Sequence, residues 1–249
     1  MCGRYASSRR PEDLIEEFEV ADNRVPAPLA SDFNVAPTKE VYAVLERPPR
    51  SSTEQPEPAD APERQLRVLR WGLVPSWAKD PSIGNRMINA RAETLLEKPA
   101  FRQAFAKRRC LVLADGFYEW QGKGKGPKQP FWFRRADGGL ITFAGLWDQW
   151  VSPDGEPIET CTIITTSCNE TLRPVHARMP VIIAPADRPA WLDCANPVSA
   201  VASMLVPAPD DLLVATPVSA AVNSPTNDGP ALIVEALVGA NDSPELDLL

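Results

Sequence analysis

The stretch CLVLADGFYEW, residues 110–120, places two apolar segments on either side of an Asp-Gly pair. Further short apolar segments follow it, PFWFR, LITFAGLW, ETCTIITT and MPVIIA, and Asp-Gly pairs recur at 137–138 and 154–155. Short segments rich in β-branched and aromatic residues, separated by turn residues, are typical of antiparallel strands. The sequence therefore predicts an α+β fold built on a curled, mainly antiparallel, barrel-like β-sheet flanked by short helices.

The first half of the chain adds strands and helices to this sheet. VYAVLE and QLRVLRWGLV have the composition of strands. In PEDLIEEFEV (11–20) the apolar residues share one face of a helix, and the proline suits its first turn. We predict further helices at 99–108 and around 187–194.

Residues 47–64, RPPRSSTEQPEPADAPER, contain five prolines and almost no apolar side chains. A segment of this composition has little to bury, so we predict a disordered loop between two strands. GKGKGPK (122–128) predicts a basic hairpin tip, and residues 236–249 predict a frayed acidic tail. We therefore predict one domain over residues 1–235, interrupted by the 47–64 loop.

Charge is unevenly distributed along the chain. The formal net charge is −7, but residues 189–249 contain eight acidic residues and no Lys or Arg. Residues 1–188 carry 26 basic and 25 acidic side chains, a net charge of +1. This balance is compatible with a local basic groove that binds nucleic acid.

Cysteine and histidine are too few and too scattered for a metal site. The five cysteines show no CxxC spacing and the chain has one histidine, so neither zinc nor a disulfide framework is expected. Cys110 and Cys161 lie in apolar runs and are predicted to be core thiols. No apolar run approaches the roughly 20 residues that span a bilayer. We expect a soluble, cytoplasmic monomer without metal or cofactor.

MCGRYA, residues 1–6, places a cysteine directly behind the initiator methionine. Cys2 is small enough that removal of Met1 is expected, which leaves a thiol and a free amine on one residue. An α-amine has a pKa of about 7.7–8.0, so an appreciable fraction is a neutral nucleophile at physiological pH. Such an amine condenses with an aldehyde to a Schiff base, and the neighbouring thiol then closes a thiazolidine ring.

Three further motifs contain residues capable of chemistry. MINARAET places Asn89 and Arg91 at alternating positions, DGFYEW places Glu119 among aromatic residues, and VHARMP supplies His176 with Arg178 two residues on. Desolvation among aromatic rings would suit a glutamate to general acid or base catalysis. Structural interpretations also exist: a turn residue for Asn89, a partner of a buried arginine for Glu119, and a satisfied core residue for His176.

Together these motifs resemble those of the SOS-response-associated peptidase (SRAP) family. The matching segments are MCGRYA, FNVAPT, WGLVPSWAKD, INARAET, RRCLVLADGFYEW, TIITT, VHARMP and TPVSAAVNSPTNDGPALI, in family order from residue 1 to about 234. The resemblance implies the SRAP-type fold and a protein that senses and processes abasic sites. It further implies a covalent cross-link from the processed terminal cysteine to abasic sites in single-stranded DNA, and association with the nucleoid while acting on DNA.

The resemblance also implies the roles of individual residues. Cys2 would be the covalent residue, Asn89 would orient it or a sugar hydroxyl, and Glu119 and His176 would be the acid and base. The residues it assigns to DNA binding are Arg4, Arg91 and Arg178 for phosphates, Pro37 and Trp77 for bases, and Thr165 within TIITT. No metal is implied.

Other functions remain open at this point. One alternative is a Cys2-dependent peptidase that removes a leading peptide, for example Met1 itself, and a lyase activity at abasic sites is compatible with the same Schiff base. Another is a non-covalent reader of single-stranded DNA or a modified base, in which the cysteine is unimportant. An amidotransferase with a terminal cysteine nucleophile would need a second large domain, for which 249 residues leave no room.

Overall fold

The fold is dominated by β-strands in this computed structural model, which describes residues 2–47, 62–122 and 128–236. In chain order the strands are β1 (Tyr5–Ser7), β2 (Asp22–Asn23), β3 (Asp32–Val35), β4 (Glu40–Arg47), β5 (Glu63–Trp71), β6 (Asn89–Arg91), β7 (Arg109–Ala114), β8 (Gly116–Gln121), β9 (Gln129–Arg135), β10 (Ile141–Val151), β11 (Pro157–Ser167), β12 (Arg178–Pro180) and β13 (Leu213–Pro217). The α+β class predicted from the sequence is confirmed.

Short helices flank the strands. They are α1 (Pro11–Glu17), α2 (Pro99–Lys107), α3 (Arg188–Leu192) and α4 (Val198–Val201), with 3-10 turns at Pro81–Arg86, Ala92–Thr94, Pro185–Asp187, Ala202–Met204, Ala220–Asn223 and Pro230–Ile233. Both α1 and α2 begin with proline, whose fixed φ suits the first helical position. Among the described residues, no helix has the length and apolarity needed to cross a bilayer.

Five strands close into a barrel. β7 pairs with β4, β4 with β5, β7 with β10 and β10 with β11, all antiparallel. The barrel closes where β5 and β11 pair in parallel, Thr160 opposite Arg70 and Cys161 opposite Trp71. The barrel-like prediction is confirmed, and the parallel seam makes the barrel a mixed one.

A second, antiparallel sheet has the strand order β13-β9-β8-β1-β3. The chain passes from β7 in the barrel to β8 in this sheet at Asp115, so the first Asp-Gly pair is a crossover between sheets. Of the three Asp-Gly pairs, the one at 154–155 joins two paired strands, β10 and β11. In MPVIIA, β12 ends at Pro180, and Ile182 continues only as an isolated bridge to Phe143.

The barrel interior and the barrel–helix interface form separate cores. The interior contains Cys2, Tyr5, Trp71, Cys110 and Cys161, all without solvent exposure. The prediction of buried core thiols at Cys110 and Cys161 is confirmed, and burial raises the pKa of both thiols. The N-terminal segment therefore ends inside the barrel core, which is where the candidate site is found.

The strands around the proline-rich segment are longer than predicted. β4 continues to Arg47 and β5 begins at Glu63, so the predicted loop boundaries of 47 and 64 belong to strands that pair with each other. Residues 48–61 lie outside the described residues, as do residues 123–127 of the basic hairpin tip and residues 237–249 of the acidic tail.

Candidate functional site

Cys2 lies in the barrel interior, 0% exposed. Its carbonyl oxygen accepts a hydrogen bond of 2.7 Å from Nδ2 of Asn89, which β6 presents beside β11. Burial raises the pKa of the Cys2 thiol well above its ordinary value, and the charge of Glu119 raises it further, while a hydrogen bond from the Arg4 backbone N–H lowers it. The net effect is a thiol that stays protonated at neutral pH.

Asn89 has hydrogen-bonding capacity left over beside Cys2. Its Oδ1 is buried and has no hydrogen-bond partner among residues 2–47, 62–122 and 128–236. A buried acceptor without a donor costs on the order of 1–3 kcal/mol. Asn89 therefore holds the Cys2 carbonyl with one end of its amide and can accept an N–H or O–H with the other.

Glu119 lies on β8, next to the segment that carries Cys2. β8 pairs with β1 through Tyr5 and Phe117, and the Tyr118 N–H donates to the Arg4 carbonyl at 2.9 Å, so the pairing continues toward the N-terminus. The Glu119 side chain is 4% exposed. The carboxyl group and the Cys2 thiol are therefore electrostatically coupled within one water-poor volume.

His176 lies in the loop between β11 and β12. Gln121, two residues beyond Glu119, donates from Nε2 to the Pro174 carbonyl at 3.0 Å and so ties this loop to β8. His176 Nδ1 lies 3.0 Å from both the N–H and the carbonyl oxygen of Arg178. Nδ1 can accept from the N–H when it is unprotonated or donate to the carbonyl when it is protonated. The ring can therefore exchange a proton without losing its anchor.

Arg178 is held in place by two partners. Its guanidinium makes a two-pronged ion pair with Glu93, at 2.6 and 3.1 Å, and donates to the Thr165 carbonyl at 2.6 Å. Thr165, which the sequence predicts to bind DNA, is 0% exposed, and its carbonyl is the acceptor for Arg178. Arg91 lies opposite Thr165, is exposed, and makes no ion pair within the described part of the chain.

Arg4 makes hydrogen bonds that link distant segments of the chain. Its Nη1 donates to Asn34 Oδ1 at 2.7 Å and to the Val222 carbonyl at 3.0 Å, and the guanidinium lies 5.9 Å from the Trp120 ring centroid. Burial lowers the pKa of Arg4. No sequence motif identifies Asn34, because the three carbonyls to which its Nδ2 donates, those of Val222, Ser224 and Asn227, lie 188 to 193 positions away. Together Arg4 and Asn34 fasten the N-terminal segment to the C-terminal segment.

Trp77 and Pro37 are the two residues predicted to contact bases. Trp77 is 58% exposed and lines an open pocket together with Ile83, Lys79 and Arg86. Pro37 is half-buried and precedes Thr38, whose φ of 76° is rare for a β-branched residue. An exposed indole next to cationic side chains is suited to stacking on a base beside a phosphate.

Two comparisons with known sequences bear on this site. The family model described as SOS response associated peptidase (SRAP) matches residues 1–225. The chain is 39% identical over 234 residues to the abasic site processing protein YoqW of Bacillus subtilis, covering 94% of this chain and 99% of that one. It is 39% identical over 205 residues to the abasic site processing protein HMCES of Gallus gallus, covering 73% of this chain and 60% of that one.

Solved structures share the fold. A crystal structure of a protein from Bacteroides thetaiotaomicron aligns with a TM-score of 0.78 and 26% identity, covering 95% of this chain and 100% of that one. A protein from Bordetella bronchiseptica aligns with a TM-score of 0.70 and 28% identity, covering 88% of this chain and 100% of that one. The arrangement of barrel and second sheet is therefore shared across most of the chain.

Proposed function

Because this chain belongs to the SOS response associated peptidase (SRAP) family, we propose that it senses and processes abasic sites in single-stranded DNA as part of the DNA damage response. Cys2 joins covalently to the ring-opened sugar. The observation that carries the proposal is the convergence on Cys2 of the Asn89 amide and the Glu119 charge inside the barrel.

The α-amine of Cys2 is the first nucleophile. Removal of Met1 frees this amine, which attacks C1′ of the aldehyde and forms an imine with loss of one water. The thiol, kept protonated by burial, then adds its sulfur to the imine carbon while its proton passes to the nitrogen. The product is a five-membered thiazolidine, and the mass balance is protein plus DNA minus one water. Because both nucleophiles belong to one residue, ring closure is intramolecular and strongly favoured.

Glu119 and His176 supply the proton transfers. An abasic sugar exists mostly as a closed hemiacetal, so ring opening requires an acid at the ring oxygen and a base for the hydroxyl or amine proton. Glu119 lies in a water-poor volume beside Cys2, and His176 keeps a backbone partner in both protonation states. The unpartnered Asn89 Oδ1 accepts from the freed amine or from the sugar hydroxyl.

The proposed DNA binding does not depend on base sequence, because abasic sites arise in every sequence context. Arginine binds phosphate and an exposed indole stacks on any base. Arg91 is an exposed cation on β6, two residues from Asn89, and Arg178 becomes available to phosphate on exchange of its Glu93 partner. No step of this mechanism needs a second copy of the chain, in keeping with the expected monomer.

Intact mass measurement tests the function. The intact mass of the purified protein is measured before and after incubation with a single-stranded oligonucleotide that carries one abasic site. Loss of Met1 followed by a denaturation-stable adduct of protein plus oligonucleotide minus water is the expected result. A Met1-free protein that leaves the oligonucleotide unmodified would contradict the proposal and favour the Cys2-dependent peptidase. Strand cleavage without a stable adduct would favour the lyase.

Asn89→Ala is expected to slow adduct formation about tenfold while undamaged single-stranded DNA binds within about twofold of wild type, because orientation of the nucleophile is lost and phosphate contacts are not. Single-turnover adduct rates and binding isotherms measure the two effects. Asn196→Ala is the matched control, since Asn196 also donates from Nδ2 to a carbonyl, that of Ala190 at 3.0 Å. An adduct rate equal in both variants would remove Asn89 from the mechanism.

Arg91→Ala is expected to weaken binding of single-stranded DNA several-fold and to lower the slope of log Kd against log salt by roughly 0.7, the contribution of one phosphate contact. The adduct rate at saturating DNA stays unchanged. Arg102→Ala removes the same charge from the exposed face of α2, which packs outside the barrel on β7 and β10. An equal change of slope in both variants would mean that net charge, and not an Arg91 contact, is responsible.

A further inference from the structure

The loop that carries Trp77 is anchored at every second residue. Residues 72–80 connect β5 to the 3-10 turn at Pro81–Arg86, and their anchors come from the hairpin of β10 and β11. The anchoring hydrogen bonds are Val74 N–H to Thr160 Oγ1 at 2.8 Å, Ser76 N–H to Asp148 Oδ2 at 3.0 Å, and Trp150 Nε1–H to the Ala78 carbonyl at 2.7 Å.

Two of the anchoring side chains, Asp148 and Trp150, are themselves held by further contacts. Asp148 is 5% exposed, and its Oδ1 accepts from the Gln149 N–H at 2.8 Å and from Arg108 at 2.5 Å. The Trp150 ring packs with Val74 and Ala78 in a small apolar cluster. The carboxylate is therefore charge-paired with Arg108, and both of its oxygens accept hydrogen bonds that would be lost if it reoriented.

Hydrogen bonds to the residues on both sides of Trp77 explain why its side chain faces outward. Residues 76 and 78 are each bonded to the hairpin, and Trp77 between them stays 58% exposed. Below the loop, Gly72 and Gly84 approach so closely that a Cβ on Gly72 would lie 2.7 Å from the Gly84 carbonyl oxygen. The backbone that carries the indole is thus fixed before any ligand arrives, which lowers the entropic cost of stacking.

We propose that Thr160, Asp148 and Trp150 are positioning residues for Trp77, so that the β10–β11 hairpin sets the affinity for single-stranded DNA without touching it. This inference rests on the proposed function in one respect, the stacking of Trp77 on a base. It adds a set of buried residues on β10 and β11 whose role is to fix the position of the indole.

A double-mutant cycle tests the inference on an undamaged single-stranded oligonucleotide, in a Cys2→Ala background that prevents covalent capture. Trp77→Ala is expected to weaken binding about tenfold, the loss of one base stack. Thr160→Val removes the acceptor without changing shape and weakens binding about threefold, and Thr160→Ser restores affinity. In the Trp77→Ala protein, Thr160→Val has no further effect, because the two changes act on one contact.

Thr142→Val is the matched control, since the buried Thr142 hydroxyl donates to the Ile183 carbonyl at 2.6 Å and is not bonded to the Trp77 loop. It is expected to bind like wild type. Trp150→Phe replaces Thr160→Val if the latter fails to fold, and the same coupling to Trp77 is expected. Equal weakening by Thr160→Val with and without Trp77, or no weakening at all, would overturn the positioning role.

Failure of this inference is distinguishable from failure of the proposed function. A protein that forms the adduct at an abasic site but whose DNA affinity is insensitive to Trp77→Ala overturns the positioning inference alone. A protein whose variants show the coupling but which forms no adduct retains the positioning role and loses the cross-linking function.

Discussion

Cys2→Ala is expected to abolish the denaturation-stable adduct with abasic DNA while leaving the binding of undamaged single-stranded DNA within about twofold of wild type. The thiol is the group that converts a reversible imine into a ring, and alanine cannot supply it. Without the thiol, the intramolecular ring closure is lost, and with it the high effective concentration of sulfur at the imine carbon that favours capture. Denaturing gel electrophoresis of the labelled oligonucleotide measures the adduct, and a binding isotherm on the undamaged strand measures affinity.

The amine and the thiol can be separated by reduction. Alanine is also small enough for Met1 removal, so the Cys2→Ala protein keeps a free α-amine. Borohydride is therefore expected to trap its imine as a secondary amine, whereas a wild-type chain that retains Met1 yields no adduct that is stable without borohydride, because its Cys2 nitrogen is a peptide nitrogen. An undiminished adduct from the Met1-retaining chain would refute the amine as nucleophile. A stable adduct from Cys2→Ala without reduction would refute the thiazolidine.

The strands of this fold could be predicted from local sequence, but their closure could not. The apolar runs around residues 110–167 have the composition of strands, and the structure confirms strands there. The parallel seam between β5 and β11 joins Arg70 to Thr160, ninety positions apart, and no local pattern records such a pairing. For the same reason the Asp-Gly pair at 115–116 looks like a hairpin turn although it joins two different sheets.

The candidate site was predictable as a set of residues and not as a set of contacts. Motifs identified Cys2, Asn89 and Glu119, because terminal nucleophiles, amides and carboxyl groups are recognisable by type. Burial of Thr165 and the pairing of Arg178 with Glu93 depend on how β6, β11 and β12 assemble. The sequence therefore indicates which residue types are present for chemistry, whereas assembly decides which polar groups are exposed and which are buried or paired.

Glu119→Gln is expected to slow adduct formation by about 10²–10⁴-fold, the range for loss of one general acid or base. The substitution preserves the size of the side chain, so undamaged single-stranded DNA should bind within about twofold of wild type. A second effect has the opposite sign: the Glu119 charge raises the pKa of the Cys2 thiol, so the amide lowers that pKa and makes the thiolate more accessible. If ring closure limited the rate, the variant would be faster.

The direction of the change therefore identifies the slow step. A fall in rate means that ring opening or imine formation limits capture and that Glu119 takes part in it, whereas a rise means that thiol addition limits capture. Glu46→Gln is the matched control, because Glu46 is a partly buried glutamate on β4 that pairs with Arg64 at 3.2 Å. A fall of equal size in adduct rate and in affinity for undamaged DNA would show that Glu119 supports the structure needed for DNA binding and does not transfer protons. Single-turnover rates across pH complete the argument, since a proton-transfer role changes the shape of the pH profile and a structural role only lowers it.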